Sequence, residues 1–234
     1  YREEFKKIDY DALKNDLKVA RKIQKSSNRD IKLYGDILSE NIIVETLRSH
    51  SSFPILSEES GIIGEVDKEE YLWILDPIDG SLNFSQGIPL CCISIAFWKN
   101  NKPILGVIFD FFRNELFSGI IGEGAWLNGS PINTSKINSK KKAILCAGFP
   151  IRSNFSDGGI TNYVKQVQTY KKVRHFGTAA LSLAYVACGR VDAYFEENIM
   201  IWDVGAGCAI VTAAGGKVLI ENCDDLSTPK NVVA

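Results

Sequence analysis

Carboxylates at three separated places in this 234-residue chain have the spacing and surroundings to hold a cation. The densest group is Asp76-Pro77-Ile78-Asp79-Gly80-Ser81, which follows the apolar run Tyr71-Leu72-Trp73-Ile74-Leu75. Two acids so close together must share a proton or hold a positive ion. With the Ile78 main-chain carbonyl beside them they offer hard oxygen ligands, which suit magnesium better than zinc. Glu58 and Glu59 end a second apolar run, Phe53 to Ser57, and Asp203 stands before Val204-Gly205-Ala206-Gly207. A site for two or three magnesium ions needs about this supply of carboxylates, converging from different elements. Just past Asp79, the N–H groups of Gly80 and Ser81 point outward as the chain turns, a cradle for phosphate oxygens.

Each feature also has a plainer reading. Asp-x-x-Asp-Gly alone describes a surface turn as well as a ligand loop. Asp203 alone is an N-cap worth about 1 kcal/mol, and Asp36 is open to the same two readings, cap or site carboxylate. Other chemistries find little support. Gly119-Ile120-Ile121-Gly122-Glu123-Gly124 does not match G-x-G-x-x-G and precedes no helix, and no G-x-S-x-G elbow occurs. The six cysteines form no C-x-x-C pair, and only His50 and His175 are present, which argues against zinc. His175 reads as a structural histidine. Most cysteines lie in apolar runs such as Leu90-Cys91-Cys92-Ile93, so free buried thiols in a reducing, cytoplasmic setting are expected.

A formal net charge of -1 gives no general attraction to nucleic acid or to anionic membranes. Hydrophobic content of 45% and charged content of 24% suit a soluble globular protein. No apolar run approaches the roughly 20 residues of a membrane-spanning helix, and the N-terminal segment is charged. The chain opens on Tyr1 rather than Met and closes inside a strand-like run, Asn231-Val232-Val233-Ala234, so its natural ends are expected to lie beyond it.

These acids need strand ends and helix starts to carry them. Apolar spacing predicts helices over 3–25 and 36–48, with Asp36 opening the second. Phe53 to Ser57 and Tyr71 to Leu75 read as strands, the latter stopped by Pro77, with Gly80 allowing the turn. Ile93–Trp98 and Ile104–Phe109 form a hairpin, and Phe109–Phe112 with Leu116–Ile120 continue an antiparallel meander. Asn128-Gly129 has type I′ turn chemistry. Residues 135–142, rich in lysine, read as a solvated connector between an N-terminal lobe of about 1–134 and a C-terminal lobe of about 143–234. Beyond it, strands at 143–147, 173–176, 191–195 and 217–221 alternate with helices at 159–171, 179–188 and 204–214. A meander followed by alternating strands and helices predicts a layered α/β sandwich.

With these motifs in place the chain resembles the inositol monophosphatase family. Leu75-Asp-Pro-Ile-Asp-Gly-Ser-Leu-Asn-Phe84 is similar to its first motif, and Trp202-Asp-Val-Gly-Ala-Gly with Ala214-Gly-Gly216 to its second. Ser57-Glu-Glu-Ser60, Gly122-Glu-Gly-Ala-Trp-Leu-Asn-Gly129 and Gly177-Thr-Ala-Ala180 fit the intervening regions in order, so the likeness runs along most of the chain. Two departures stand out. Ser81 replaces the more usual Thr, which keeps the hydroxyl but restricts it less, and no Glu precedes Ala214-Gly-Gly216.

The resemblance implies a single phosphatase domain with an α-β-α-β-α sandwich. It implies hydrolysis of a small sugar or inositol phosphate by in-line attack of a magnesium-activated water, and inhibition by lithium. Carried over by position, Glu58, Asp76, Asp79, Asp203 and the Ile78 carbonyl would bind magnesium. Asp36, Ser81 and Glu58 would orient the attacking water, and the Gly80 and Ser81 amides would hold phosphate. Asp79, Thr178, Ala179 and Glu196 would touch the substrate. Fructose 1,6-bisphosphate, NADP, adenosine bisphosphate and histidinol phosphate are the competing substrates. The first would need a basic group, for which Arg152, Lys172 and Arg174 are candidates. The resemblance further implies a homodimer. A regulatory binding role in the transcription machinery is the alternative of a different class, with the 135–142 lysines as its support.

Overall fold

The computed structural model describes residues 23–26, 31–65, 71–149, 154–221 and 225–234, with side chains from Tyr34 onward. The first half runs β1 (Ile23–Ser26), β2 (Ile31–Leu33), α1 (Tyr34–His50), β3 (Ile55–Ser57), β4 (Gly61–Ile63), β5 (Tyr71–Asp79) and α2 (Ser81–Gln86). The meander follows as β6 (Cys92–Lys99), β7 (Lys102–Asp110), β8 (Glu115–Ile120), β9 (Gly124–Leu127) and β10 (Ser130–Ile132). The second half holds β11 (Ile144–Ala147), α3 (Asp157–Val167), β12 (Lys172–Arg174), α4 (Ala179–Ala187) and β13 (Ala193–Ile199). It closes with α5 (Ile201–Ala213), β14 (Leu219–Glu221) and β15 (Lys230–Val233).

Two main sheets result. One has eight strands in the order β10-β9-β8-β7-β6-β5-β3-β4, the other five in the order β12-β11-β13-β15-β14. The large sheet is antiparallel except where β3 runs parallel to β5, which brings Ser57, the end of β3, beside Leu75 of β5. Period-2 patterning makes this face: Cys92, Ser94, Ala96 and Trp98 of β6 are buried while Lys99 is exposed. Asn128 and Gly129, both at positive φ (48° and 78°), turn β9 into β10 as the type I′ chemistry requires.

Helices α4 and α5 fill the layer between the sheets, α1 lies along β5, and Tyr163 of α3 packs its ring 4.7 Å from Phe149 beside the second sheet. This is the expected order of helices and sheets. Every residue of α4 is buried, and α5 is buried over most of its length. The small residues of α5 explain how it comes so close to the sheet. A Cβ on Gly106 would lie 2.2 Å from the Ala206 carbonyl oxygen, and one on Gly119 2.8 Å from the Ile210 Cα. On the other side a Cβ on Gly207 would meet Leu183 of α4 at 2.4 Å. The Gly205-Ala206-Gly207 run therefore serves helix–sheet and helix–helix contact.

Several boundaries differ from expectation. The helix expected over 3–25 lies outside the described residues apart from Ile23–Lys25, which belong to β1. Pro77 does not stop its strand. β5 runs on to Asp79, because the register against β6 shifts between Asp76 and Asp79 and this bulge absorbs the proline. Phe111 and Phe112 lie in the β7–β8 turn rather than in a strand, where the buried Asp110 carboxylate accepts from the Phe112 and Arg113 amides at 3.1 Å each. Helix α3 starts earlier and ends earlier than 159–171, since Ser156 caps it by accepting from the Gly159 amide. Strand β13 begins and ends later than 191–195 and so carries Glu196 within the sheet.

Among the described residues no helix is long and apolar enough to cross a membrane. Cys91, Cys92, Cys146 and Cys208 are buried cysteines outside any disulfide and Cys188 is partly buried, while Cys223 lies outside the described residues.

Candidate metal and phosphate site

The acids named from the sequence come together at one end of the large sheet. Glu58 follows β3, its amide donating to the Leu75 carbonyl at 3.1 Å. Asp76 sits inside β5, and Asp203 lies in the first turn of α5. One carboxylate oxygen from each of Glu58, Asp76 and Asp203 lies within 4.8 Å of the other two. Asp203 is not the N-cap expected of it: the helix begins at Ile201 with Met200 as N-cap, and Asp203 stands at the third helical position, where its Oδ2 accepts from the Met200 amide at 3.2 Å. One oxygen closes the helix end and the carboxylate still joins the cluster.

Asp79 is beside this group but committed elsewhere. Its Oδ2 accepts from the Thr178 hydroxyl at 2.5 Å and from the Ala180 amide at 2.7 Å, with the Cys92 thiol at 3.9 Å. Thr178 caps α4 as well, accepting from the Leu181 amide at 3.3 Å. The first motif is thus tied to the start of α4, and buried Ala179 sits within the tie.

The turn after β5 is built on Gly80, which adopts φ 90° and has the Leu90 carbonyl 2.8 Å from where a Cβ would sit. No L-residue fits there without strain. Ser81 opens α2 and donates to the Ile78 carbonyl at 2.9 Å, with the buried Asp36 carboxylate at 3.4 Å. Asp36 is the third residue of α1, in its first turn rather than at its cap position. Two further residues of α1, to which the sequence reading gave no role, pin that helix to the site. The Ser39 hydroxyl donates to the Pro77 carbonyl at 3.0 Å, and buried Glu40 accepts from the Ser60 amide and hydroxyl at 3.1 and 2.8 Å. The i, i+4 spacing of Asp36 and Glu40 on one helix face was the available signal.

Electrostatics mark the cluster as a place for positive charge. Burial pushes the Asp76 and Asp203 carboxyls well above the usual range, and the neighbouring acids add to it. Burial raises Asp79 to about 6, against the opposing Thr178 and amide hydrogen bonds. Glu58 is the cluster's solvent-facing member by area, yet packed atoms around its carboxyl, followed by the charges of Glu59, Asp36 and Asp79, push it up to about 8. A divalent cation would reverse these shifts. The three carboxylates form an all-oxygen donor set, which fits magnesium.

Glu196 lies in β13, 6% exposed, with its Oε2 accepting from the Tyr194 hydroxyl at 2.7 Å. Burial raises its carboxyl to about 7. Sequence reasoning overlooked Tyr194, although two residues apart on a strand places both side chains on one face. Asn83, quoted only as part of a motif, ties α2 across the chain by donating to the Leu90 and Phe176 carbonyls at 2.8 and 2.7 Å. His175 is structural as expected, with Nδ1 at 2.8 Å from the Ala147 carbonyl. Of the basic candidates for a second phosphate, Arg152 lies outside the described residues. Lys172 and Arg174 are exposed on β12, an edge of the smaller sheet.

A two-sheet α/β sandwich with acids gathered at the end of its larger sheet is the class that fold and site define. The chain belongs to the inositol monophosphatase family, whose model matches residues 3–233. Among its relatives, the Nus factor SuhB of Xylella fastidiosa is 40% identical over 206 residues, covering 87% of this chain and 74% of that protein. The inositol-1-monophosphatase of a Synechocystis species is 38% identical over 215 residues, covering 90% of this chain and 75% of the relative. A solved inositol monophosphatase from Anabaena (Nostoc) superposes with a TM-score of 0.78 at 38% identity, covering 85% of this chain and 80% of that one.

Proposed function

We propose that this chain is a magnesium-dependent phosphomonoesterase acting on a small sugar or inositol phosphate. The observation that carries the reading is the convergence of Glu58, Asp76 and Asp203 within 4.8 Å from just past β3, from within β5 and from the first turn of α5. Magnesium, when bound, supplies positive charge to offset that of the phosphate, to acidify a water and to stabilise the leaving alkoxide. Glu58, Asp76, Asp79, Asp203 and the Ile78 carbonyl are the residues to hold it.

The chain's own groups do the rest. The Gly80 and Ser81 amides bind phosphate oxygens. Asp36 and the Ser81 hydroxyl, 3.4 Å apart, together with Glu58, orient the attacking water and accept its proton. Attack is in line on phosphorus, without a covalent intermediate. Asp79, Thr178, Ala179 and Glu196 face the alcohol part of the substrate, where Glu196 accepts hydrogen bonds from hydroxyl groups. A homodimer in the cytoplasm belongs to the same reading, and sedimentation of the purified chain tests the dimer.

The test is phosphate release with and without magnesium. The panel is inositol 1-phosphate, fructose 1,6-bisphosphate, adenosine 3′,5′-bisphosphate, NADP and histidinol phosphate. Turnover of one ester that stops on chelation supports the reading. No turnover of any, with no magnesium binding, refutes it.

A second reading, a binding role in the transcription machinery, is favoured by the relatives named Nus factors and by the exposed Lys136, Lys140, Lys141 and Lys142. Pull-down of RNA polymerase by the chain, lost when Lys140, Lys141 and Lys142 are neutralised, supports it. Unchanged capture removes that surface.

A further inference from the structure

We infer that Tyr194 is a positioning residue that holds the Glu196 carboxylate for recognition of a substrate hydroxyl group, in room that only glycine at position 148 leaves. The inference rests on the phosphomonoesterase reading above and narrows it to esters of polyols. Glu196 is the acid in that site with a dedicated tyrosine donor.

Two restraints act on the same carboxylate from different strands. Tyr194, 1% exposed, donates to Oε2 at 2.7 Å from two residues back along β13. Burial, and then the Glu196 charge, push the phenol's own ionisation well upward, so it stays a donor. Gly148 closes the other side. It follows β11, which runs parallel to β13 with Ala147 opposite Phe195, and its amide donates to the Phe195 carbonyl at 3.4 Å. A Cβ on Gly148 would lie 1.9 Å from the Glu196 carboxyl carbon and Oε2, and 2.0 Å from Oε1. The carboxylate therefore occupies the space a side chain at 148 would take, while the phenol fixes its direction.

The chemical consequence concerns what is left over. Once ionised, above about pH 7, the Glu196 carboxylate only accepts, and Tyr194 engages Oε2. Oε1 remains to accept from the substrate, and a neutral donor in a phosphate ester is a hydroxyl group. An ester with no hydroxyl group gains nothing from this pair. Discrimination between hydroxylated and unhydroxylated esters then depends on Tyr194, although Tyr194 itself need not touch the substrate.

The test is steady-state kinetics of the full chain with magnesium on inositol 1-phosphate and on p-nitrophenyl phosphate, which lacks hydroxyl groups. Tyr194→Phe removes one buried hydrogen bond and should raise KM for inositol 1-phosphate about ten-fold with little change in kcat. Turnover of p-nitrophenyl phosphate should stay within about two-fold. Gly148→Ala displaces the same carboxylate without altering the phenol and should give the same selective loss. Equal losses on both esters in the two variants, or no loss on either, would overturn the inference. A parent chain that hydrolyses neither ester would instead remove the phosphatase reading, and this inference with it.

Discussion

The Thr178 hydroxyl and the Asp79 carboxylate are 99 positions apart in the chain and 2.5 Å apart in space. One end of that contact belongs to the bulged strand that carries Asp76, the other to the start of a helix buried between the sheets. The same threonine oxygen caps that helix. A single side chain thus connects the acid-bearing loop to the central layer, and it does so at the carboxylate proposed to hold both metal and substrate.

Replacing Thr178 with Val should therefore act twice. Loss of a buried bond to a carboxylate, with loss of the cap, should cost about 1–3 kcal/mol in urea denaturation. The hydrogen bond from Thr178 holds the Asp79 carboxyl down, so without it that group rises further above about 6. The acid limb of magnesium-dependent turnover should then shift to higher pH. An unmoved limb would show that Asp79 does not control it.

Stability of the metal-free protein should fall as pH rises through the range set by Glu58. Its carboxyl is raised from 4.5 to about 8, so below 4.5 it is protonated in folded and unfolded chains alike. Between those values the unfolded chain ionises while the folded one resists, and stability is lost progressively. Burial of Asp76 and Asp203 works in the same direction. Melting temperatures recorded with EDTA from pH 5 to pH 8.5 should decline, and added magnesium should raise them more at pH 8 than at pH 6. A magnesium increment independent of pH would argue against binding at these acids.

Asp76→Asn separates site from fold. The variant keeps the shape of the side chain and the bond from the Ile78 amide at 3.0 Å while removing one of three crowded charges. Its metal-free form should melt no lower than the parent at pH 8. Magnesium should no longer raise its melting temperature, and turnover should be abolished. Retained turnover would remove the proposed mechanism.

Gly106→Ala tests the helix–sheet contact. The added methyl would meet backbone, 2.2 Å from the Ala206 carbonyl oxygen, and backbone in a buried helix cannot step aside cheaply. Overpacking of this kind costs about 1–3 kcal/mol or more. Guanidinium denaturation should show a lower midpoint, and magnesium affinity should drop as Asp203 is carried away from Asp76. A neutral outcome would mean that α5 can shift without cost.

Much of the site was legible in the sequence because its acids sit beside strong local signals. An apolar run ending in Asp-Pro-Ile-Asp-Gly announces a strand end and a turn, and Trp202-Asp203 before small residues announces a helix start. The α/β alternation was legible for the same reason. What was missed depends on partners distant in the chain. Pro77 stays in its strand because the pairing with β6 shifts register there. The small residues of α5 are explained by Gly106, Gly119 and Leu183, none of which is near them in sequence. Tyr194 gains its meaning from Glu196 two places on, but the missing side chain at Gly148 that completes the arrangement lies just past the end of another strand.

The three clustered acids come from positions 58, 76 and 203, and only the last belongs to the central helix. The large sheet can therefore assemble without meeting the full repulsion among them, which arises when α5 docks. A divalent ion in the cluster would act on that docking step above all, as a latch on the central layer. Native-state hydrogen exchange should then slow most in α5, and much less in the β7–β8 hairpin, when magnesium is added.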